Sequence, residues 1–170
     1  DEYSKVPLEM KAAAKVMGHE VLSEATLAEL FDNVKEIREK CGNRAFLRAY
    51  HFLNETQRAH DEAEALKKKD IKTFFQLVRE SGRSSWMYLQ NISVGSMPES
   101  QAVAIGLAIS ESIIHEDGAY RVHGGGFAGT IQAFVNKNTT EAFIERMEKT
   151  FGKGCCYILR IRDVGGIRLA

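Results

Sequence analysis

Gly118-Ala-Tyr-Arg-Val-His-Gly-Gly-Gly-Phe-Ala-Gly-Thr-Ile-Gln-Ala-Phe-Val135 sets a glycine cluster between two short alternating apolar runs. Runs of this kind read as strands, and a bare backbone between them reads as a turn whose peptide groups can approach a phosphate or a buried partner. Gly124, Gly126 and Gly129 satisfy G-x-G-x-x-G, a pattern whose chemistry depends on its flanks. A dinucleotide site needs the loop to open a helix with its N-terminal amides on a pyrophosphate, whereas Thr130 to Val135 reads as a strand. A protein kinase needs a lysine-bearing strand, an H-R-D loop and a D-F-G metal site afterwards, and none follows. On the residues alone a glycine hairpin is left, either phosphate-facing or purely structural, with glycines that permit positive φ and close backbone packing.

Outward from the hairpin, the organisation changes once. Residues 5–116 read as helices, and 117–170 as strand, glycine turn, strand, helix, strand, the order of an α+β domain. Thr26 and Glu29 form a capping-box pair ahead of Leu27, Leu30, Phe31, Val34, Ile37 and Cys41 at helical spacing, with Gly42 as the stop. Asn43 is the expected cap of the longest helix, with the stripe Phe46, Leu47, Tyr50 and Leu53 and a basic end at Lys67 to Lys69. Asp70 caps a helix carrying Ile71, Phe74, Phe75 and Val78, which Gly82 is expected to end. Ser96 with Glu99 marks a further capped start, with Pro98 in its first turn and Val103, Leu107 and Ile114 on the buried side. Thr139 or Thr140 caps a helix bearing Phe143, Ile144, Met147 and Phe151. Gly152 and Gly154 then release Cys155 to Arg162, whose alternation predicts a strand, and 167–169 could add a short edge strand. No repeat or linker splits the 170 residues, so one domain is expected.

The 23 lysines and arginines balance the 23 aspartates and glutamates, so no long-range field favours nucleic acid or an acidic membrane surface. No apolar run is long enough for a bilayer span, and the charged start is not a signal peptide. A soluble, intracellular protein with free thiols at Cys41, Cys155 and Cys156 is expected. The start at Asp1, without an initiator methionine, suggests a piece of a longer chain.

His51, Glu55 and Arg58 stand at i, i+4 and i+7 and share one helix face. They form either a ligand-binding cluster or a hydrogen-bonded face tying this helix to its neighbour, and the second is the more economical. One histidine beside a glutamate does not make a zinc site. His19, His60 and His115 suit solvated or capping roles. His123 abuts the glycine loop, where an imidazole could touch substrate or phosphate or replace a structural hydroxyl.

The segment from Gly118 to Thr130 resembles the third motif of the small-metabolite (GHMP) kinases, and its glycine-phenylalanine core is most similar to the galactokinase family. Asp1-Glu-Tyr with Pro7-Leu-Glu-Met-Lys11, Arg48-Ala-Tyr-His51 through Glu55 to Arg58, and the serines Ser81, Ser84 and Ser85 carry the resemblance from end to end. It implies a ferredoxin-like C-terminal domain over residues 1–170, helices covering an antiparallel sheet, with the N-terminal catalytic half absent. It also implies ATP-dependent phosphorylation of galactose at the anomeric hydroxyl, with magnesium (Mg2+) held mainly by ligands outside this segment. The family's sugar-recognition motif, nucleotide loop and catalytic aspartate all precede this region. No catalytic residue and no metal ligand is therefore expected here, and the segment alone should be inactive. Gly124, Gly125, Gly126, Phe127, Ala128 and Gly129 become the phosphate and substrate-cleft loop, with His123 as a possible accessory. The implied partners are the chain's own N-terminal half, a sugar and ATP, in the cytoplasm, and the isolated segment is expected either to self-associate or to have low solubility.

Four departures loosen the assignment to galactose. His123 replaces the family's usual threonine, Ala128 a glycine, Gly82 a histidine after the first serine, and Met97-Pro-Glu-Ser100 the usual P-E-L-D stretch. Those at His123, Ala128 and Gly82 keep open a non-catalytic sugar sensor beside the kinase; a freestanding ferredoxin-like binding or dimerisation module, in which the glycine hairpin is purely structural, is the third reading.

Overall fold

The computed structural model describes residues 2–127, 129–161 and 164. The helical part opens with α1 (Glu2–Val16), a single 3-10 turn at Leu22–Glu24, α2 (Leu27–Asp32) and α3 (Val34–Cys41). The capping box is present as expected: Thr26 Oγ1 accepts from the Glu29 amide (3.2 Å) while the Glu29 carboxylate accepts from the Thr26 amide (2.7 Å). The stretch from Leu27 to Cys41 is nevertheless two helices instead of one. Asn33 breaks it, its side-chain amide donating to the Glu29 carbonyl (2.9 Å), the local competition that short amide side chains offer a helix backbone. Gly42, at φ 88°, ends α3 and turns the chain directly into α4 (Asn43–Lys67), so Gly42 stands in the cap position expected of Asn43. Leu22, Leu30, Ile37, Ala13, Ala14, Ala45 and Ala49 bury together, joining these helices in one core. The alanines let α1 and α4 approach closely.

Asp70 caps α5 (Ile71–Ser84) through the Thr73 amide (3.0 Å). Gly82 does not end this helix. A Cβ there would stand 3.0 Å from the Arg121 Cβ and 3.1 Å from the Tyr120 carbonyl oxygen, so the glycine marks where α5 lies directly on a strand. A π-helical turn, Ser85–Leu89, follows and closes at Gln90 in the left-handed region (φ 58°). Ser96 and Glu99 likewise start no helix. Residues 94–101 form successive turns, and α6 (Ala102–Ile113) begins only after Gln101, leaving Pro98 ahead of it.

The two strands are β1 (Ala119–Val122) and β2 (Ile131–Phe134), antiparallel, with Ala119 opposite Phe134 and Val122 opposite Ile131. Val122 packs with Ile92, Val103 and Leu107. After β2, α7 (Thr140–Phe151) seats Phe143 and Met147 against Ile114. Neither Thr139 nor Thr140 caps α7 by its side chain; both hydroxyls donate to the Asn136 carbonyl (3.1 and 3.0 Å). The architecture is α+β, with helices covering an antiparallel sheet.

The strand expected at Cys155 to Arg162 is absent over 155–161. Tyr157, Ile158, Leu159 and Ile161 are all largely exposed, and no backbone edge among the described residues pairs with them. Alternation identifies a segment able to form a strand, but a strand needs a partner. Arg162 and the edge strand expected at 167–169 lie outside the described residues.

Candidate functional site

The glycine turn is a hairpin tip. One bond, from the His123 amide to the Thr130 carbonyl (3.0 Å), extends the pairing past Val122 and Ile131, and residues 124–129 span the gap. The turn demands its glycines: Gly124, Gly126 and Gly129 have φ of 63°, 75° and 82°. Phe127 adopts φ 57°, a left-handed position that no sequence signal marked and that costs a side chain about 1–2 kcal/mol. Its anchor is visible, because the Phe127 amide donates to the Asn91 carbonyl (2.9 Å). Ala128 lies outside the described residues.

Around this tip the backbone is approached closely on two sides. A Cβ at Gly125 would overlap the Tyr3 ring, and one at Gly126 would overlap Asn91. Gly124 and Gly125 are exposed, whereas Gly126 is buried on Asn91. The Asn91 side chain is itself buried, and neither its amide nitrogen nor its oxygen has a hydrogen-bond partner. Ser85 Oγ and one guanidinium nitrogen of Arg48 share that condition. Arg48 is fully buried, donating to the Leu89 carbonyl (3.1 Å) and to Glu9 Oε2 (2.9 Å), and burial outweighs that carboxylate in lowering its pKa. Unpartnered buried polar atoms are uncommon, and here they gather on α4, the π-helical turn and the segment leading from it toward the glycine tip.

The helix face bearing His51, Glu55 and Arg58 does join its neighbours, with Glu55 and Arg58 paired along the helix and His51 turned to α5. Glu55 pairs with Arg58, accepts from the Ser81 hydroxyl and accepts from Arg121 Nη1 (3.1 Å). Burial pushes the Glu55 carboxyl up, but the Ser81 hydroxyl, Arg121, His51 and Arg58 together hold it below the usual range. His51 instead meets Ser84, Nδ1 to Oγ at 2.9 Å, and its burial pushes its pKa down to about 4. In the sequence Ser81 and Arg121 stand only within motifs, and no local signal marks Asn91. Among the described residues no three His, Cys, Asp or Glu side chains come together as metal ligands. His123 is exposed at the mouth of the turn. Two surface concavities, one among Ile71, Lys72, Phe75, Glu116 and Asp117 and one among Ser23, Leu27, Phe52 and Gln57, have no lining residue from the turn.

No family model matches the chain. Galactokinase from Actinobacillus pleuropneumoniae serotype 3 is 29% identical over 140 residues, covering 82% of this chain and 34% of that protein. Human galactokinase is 28% identical over 161 residues, covering 93% and 37%. The similarity is to the C-terminal region of galactokinase. The bovine galactokinase, 27% identical over 165 residues, covers 95% of this chain and 38% of its own length. In three dimensions, the crystal structure of Lactococcus lactis galactokinase complexed with galactose superposes with a TM-score of 0.70 at 18% identity, over 88% of this chain and 37% of that one. That superposition establishes a shared fold. The chain spans between a third and two-fifths of the length of these galactokinases.

Proposed function

We propose that residues 1–170 form the C-terminal domain of a cytoplasmic, ATP-dependent galactokinase, whose upstream half carries the catalytic groups and completes a cleft at the glycine hairpin. The observation that carries this is the tip itself: exposed, side-chain-free backbone at Gly124 and Gly125, rigidly backed by Asn91 at Gly126. Phosphoryl transfer depends mainly on positioning and charge stabilisation, and fixed backbone amides at a turn supply both to phosphate oxygens. In this reading Gly124, Gly125, Gly126, Phe127, Ala128 and Gly129 border the phosphate end of the cleft, with His123 at its rim. Magnesium would be held mainly by ligands of the upstream half and the nucleotide's phosphates. The segment by itself is then inactive.

Coupled ATP turnover by the complete polypeptide with a panel of sugars tests this. Galactose-dependent ADP release from the complete polypeptide, absent from residues 1–170 alone, is expected. Sugar binding without turnover would replace the kinase with a sensor, a reading that the imidazole of His123 in the threonine position favours.

A further inference from the structure

A two-stranded hairpin of four-residue strands is marginal alone, so the placement of the glycine tip depends on what holds its stem. The tip is held by Asn91, a neutral backbone contact. The stem is held by a charged one. Arg121, three residues before Gly124, donates from Nε to the Val122 carbonyl (3.1 Å) and from Nη1 to Glu55 Oε1 (3.1 Å) and the Ser81 hydroxyl. Ser81, fully buried on α5, donates to the same Glu55 oxygen, while Arg58 takes the other. Both oxygens of one carboxylate are thus engaged, and α4, α5 and β1 meet at it. Gly82 brings α5 against β1 one residue from Ser81, which sets the distance at which the three elements can share that carboxylate.

We infer that Glu55 is a positioning residue of the glycine hairpin, acting through Arg121 to fix the stem of β1 and hence the exposed backbone of Gly124 and Gly125. The positioning follows from the geometry alone; its consequence for phosphoryl transfer rests on the proposed function. A partly buried carboxylate shared by two guanidiniums and a hydroxyl gives charge-assisted, directional bonds. Losing its charge leaves Arg121 and Arg58 side by side, so the strand loses both an attraction and a defined direction.

The test uses the complete polypeptide with Glu55→Gln, which keeps the shape and drops the charge, and Arg121→Lys, which keeps a cation and drops the fork. Amide hydrogen exchange is read for residues 119–134 and for α1 to α3, alongside kcat and KM for ATP. For Glu55→Gln, hairpin exchange about tenfold or more faster is expected, with α1 to α3 unchanged. Arg121→Lys is expected to give the same pattern in smaller degree. Unaltered hairpin exchange in both variants, or equal acceleration everywhere, overturns the positioning role. If the parent polypeptide turns over ATP, a lower kcat or higher KM for ATP in the variants, paired with hairpin-specific exchange, supports it, and unchanged kinetics overturn the functional consequence. Hairpin-specific exchange in a parent with no turnover supports the positioning while removing the kinase reading.

Discussion

Gly126 lies so close to Asn91 that a Cβ at position 126 would stand 2.2 Å from the Asn91 carbonyl oxygen, the same oxygen that accepts the Phe127 amide. Gly126→Ala therefore adds a clash with backbone to the strain of φ 75°. Gly124→Ala, at φ 63° with nothing within 4 Å, adds strain alone. Gly124→Ala is expected to cost about 1–2 kcal/mol, and Gly126→Ala distinctly more. Urea midpoints of the two variants check the order, and equal losses would refute the close seat on Asn91.

Asn91 itself makes an unusual prediction. Its buried side-chain amide satisfies neither donor nor acceptor, so removing the polar group should remove a desolvation cost instead of a bond. Asn91→Val, which removes both polar atoms at only a small gain in volume, is expected to leave stability nearly unchanged, any overpacking being offset by the desolvation cost removed. A loss of several kcal/mol in thermal unfolding would show that the amide is in fact satisfied.

His51 gives the pH dependence. Burial is the main cause of its depressed pKa, with Arg121 and Arg58 acting in the same direction and Glu55 opposing them; Ser84 from α5 completes its surroundings. The unfolded chain binds the proton near pH 6.5 and the folded one near 4, so this contribution is fully present above about 6.5 and lost as pH falls towards 4. The loss amounts to roughly 3 kcal/mol at most. NMR titration should place His51 near pH 4, and His51→Gln should flatten the stability profile between pH 6.5 and 4. A titration midpoint above 6 would sink the argument.

What was readable from the sequence is what is decided within a few residues. The Thr26 and Glu29 box, the Asp70 cap and the glycine hairpin each rest on contacts three to fifteen positions apart, and each is found where local chemistry puts it. Asn33 was missed because its helix-breaking bond competes with a strong apolar periodicity, and the start of α6 because three turns absorb the apparent cap at Ser96. The carboxylate that joins three elements could not be seen. Glu55 is 26 residues from Ser81 and 66 from Arg121, separations at which only the folded chain brings side chains together. Its helical spacing pointed instead to His51, which turns to Ser84.

Glu9 and Arg48 form the charged counterpart inside the helical core. Glu9 accepts from Arg44 Nη2 (2.6 Å) and Arg48 Nη1 (2.9 Å), and Arg48 is fully buried. Glu9→Ala strands a buried guanidinium and is expected to cost about 3–5 kcal/mol. Adding Arg48→Met should recover part of that loss, because the unpaired charge goes with it. If the double variant unfolds as readily as the single one, the cost is packing rather than charge.

The exposed run at 157–161 carries the last prediction. Tyr157, Ile158, Leu159 and Ile161 are 83, 76, 85 and 88% exposed, and among the described residues no strand pairs with them, so this apolar run is open to contact with another chain. Residues 1–170 are expected to self-associate with rising concentration, read by sedimentation velocity. Leu159→Lys with Ile161→Lys places charge at the contact, where like charges on two copies repel, and should return the chain to a monomer. Association that survives the two lysines would place the contact elsewhere on the domain.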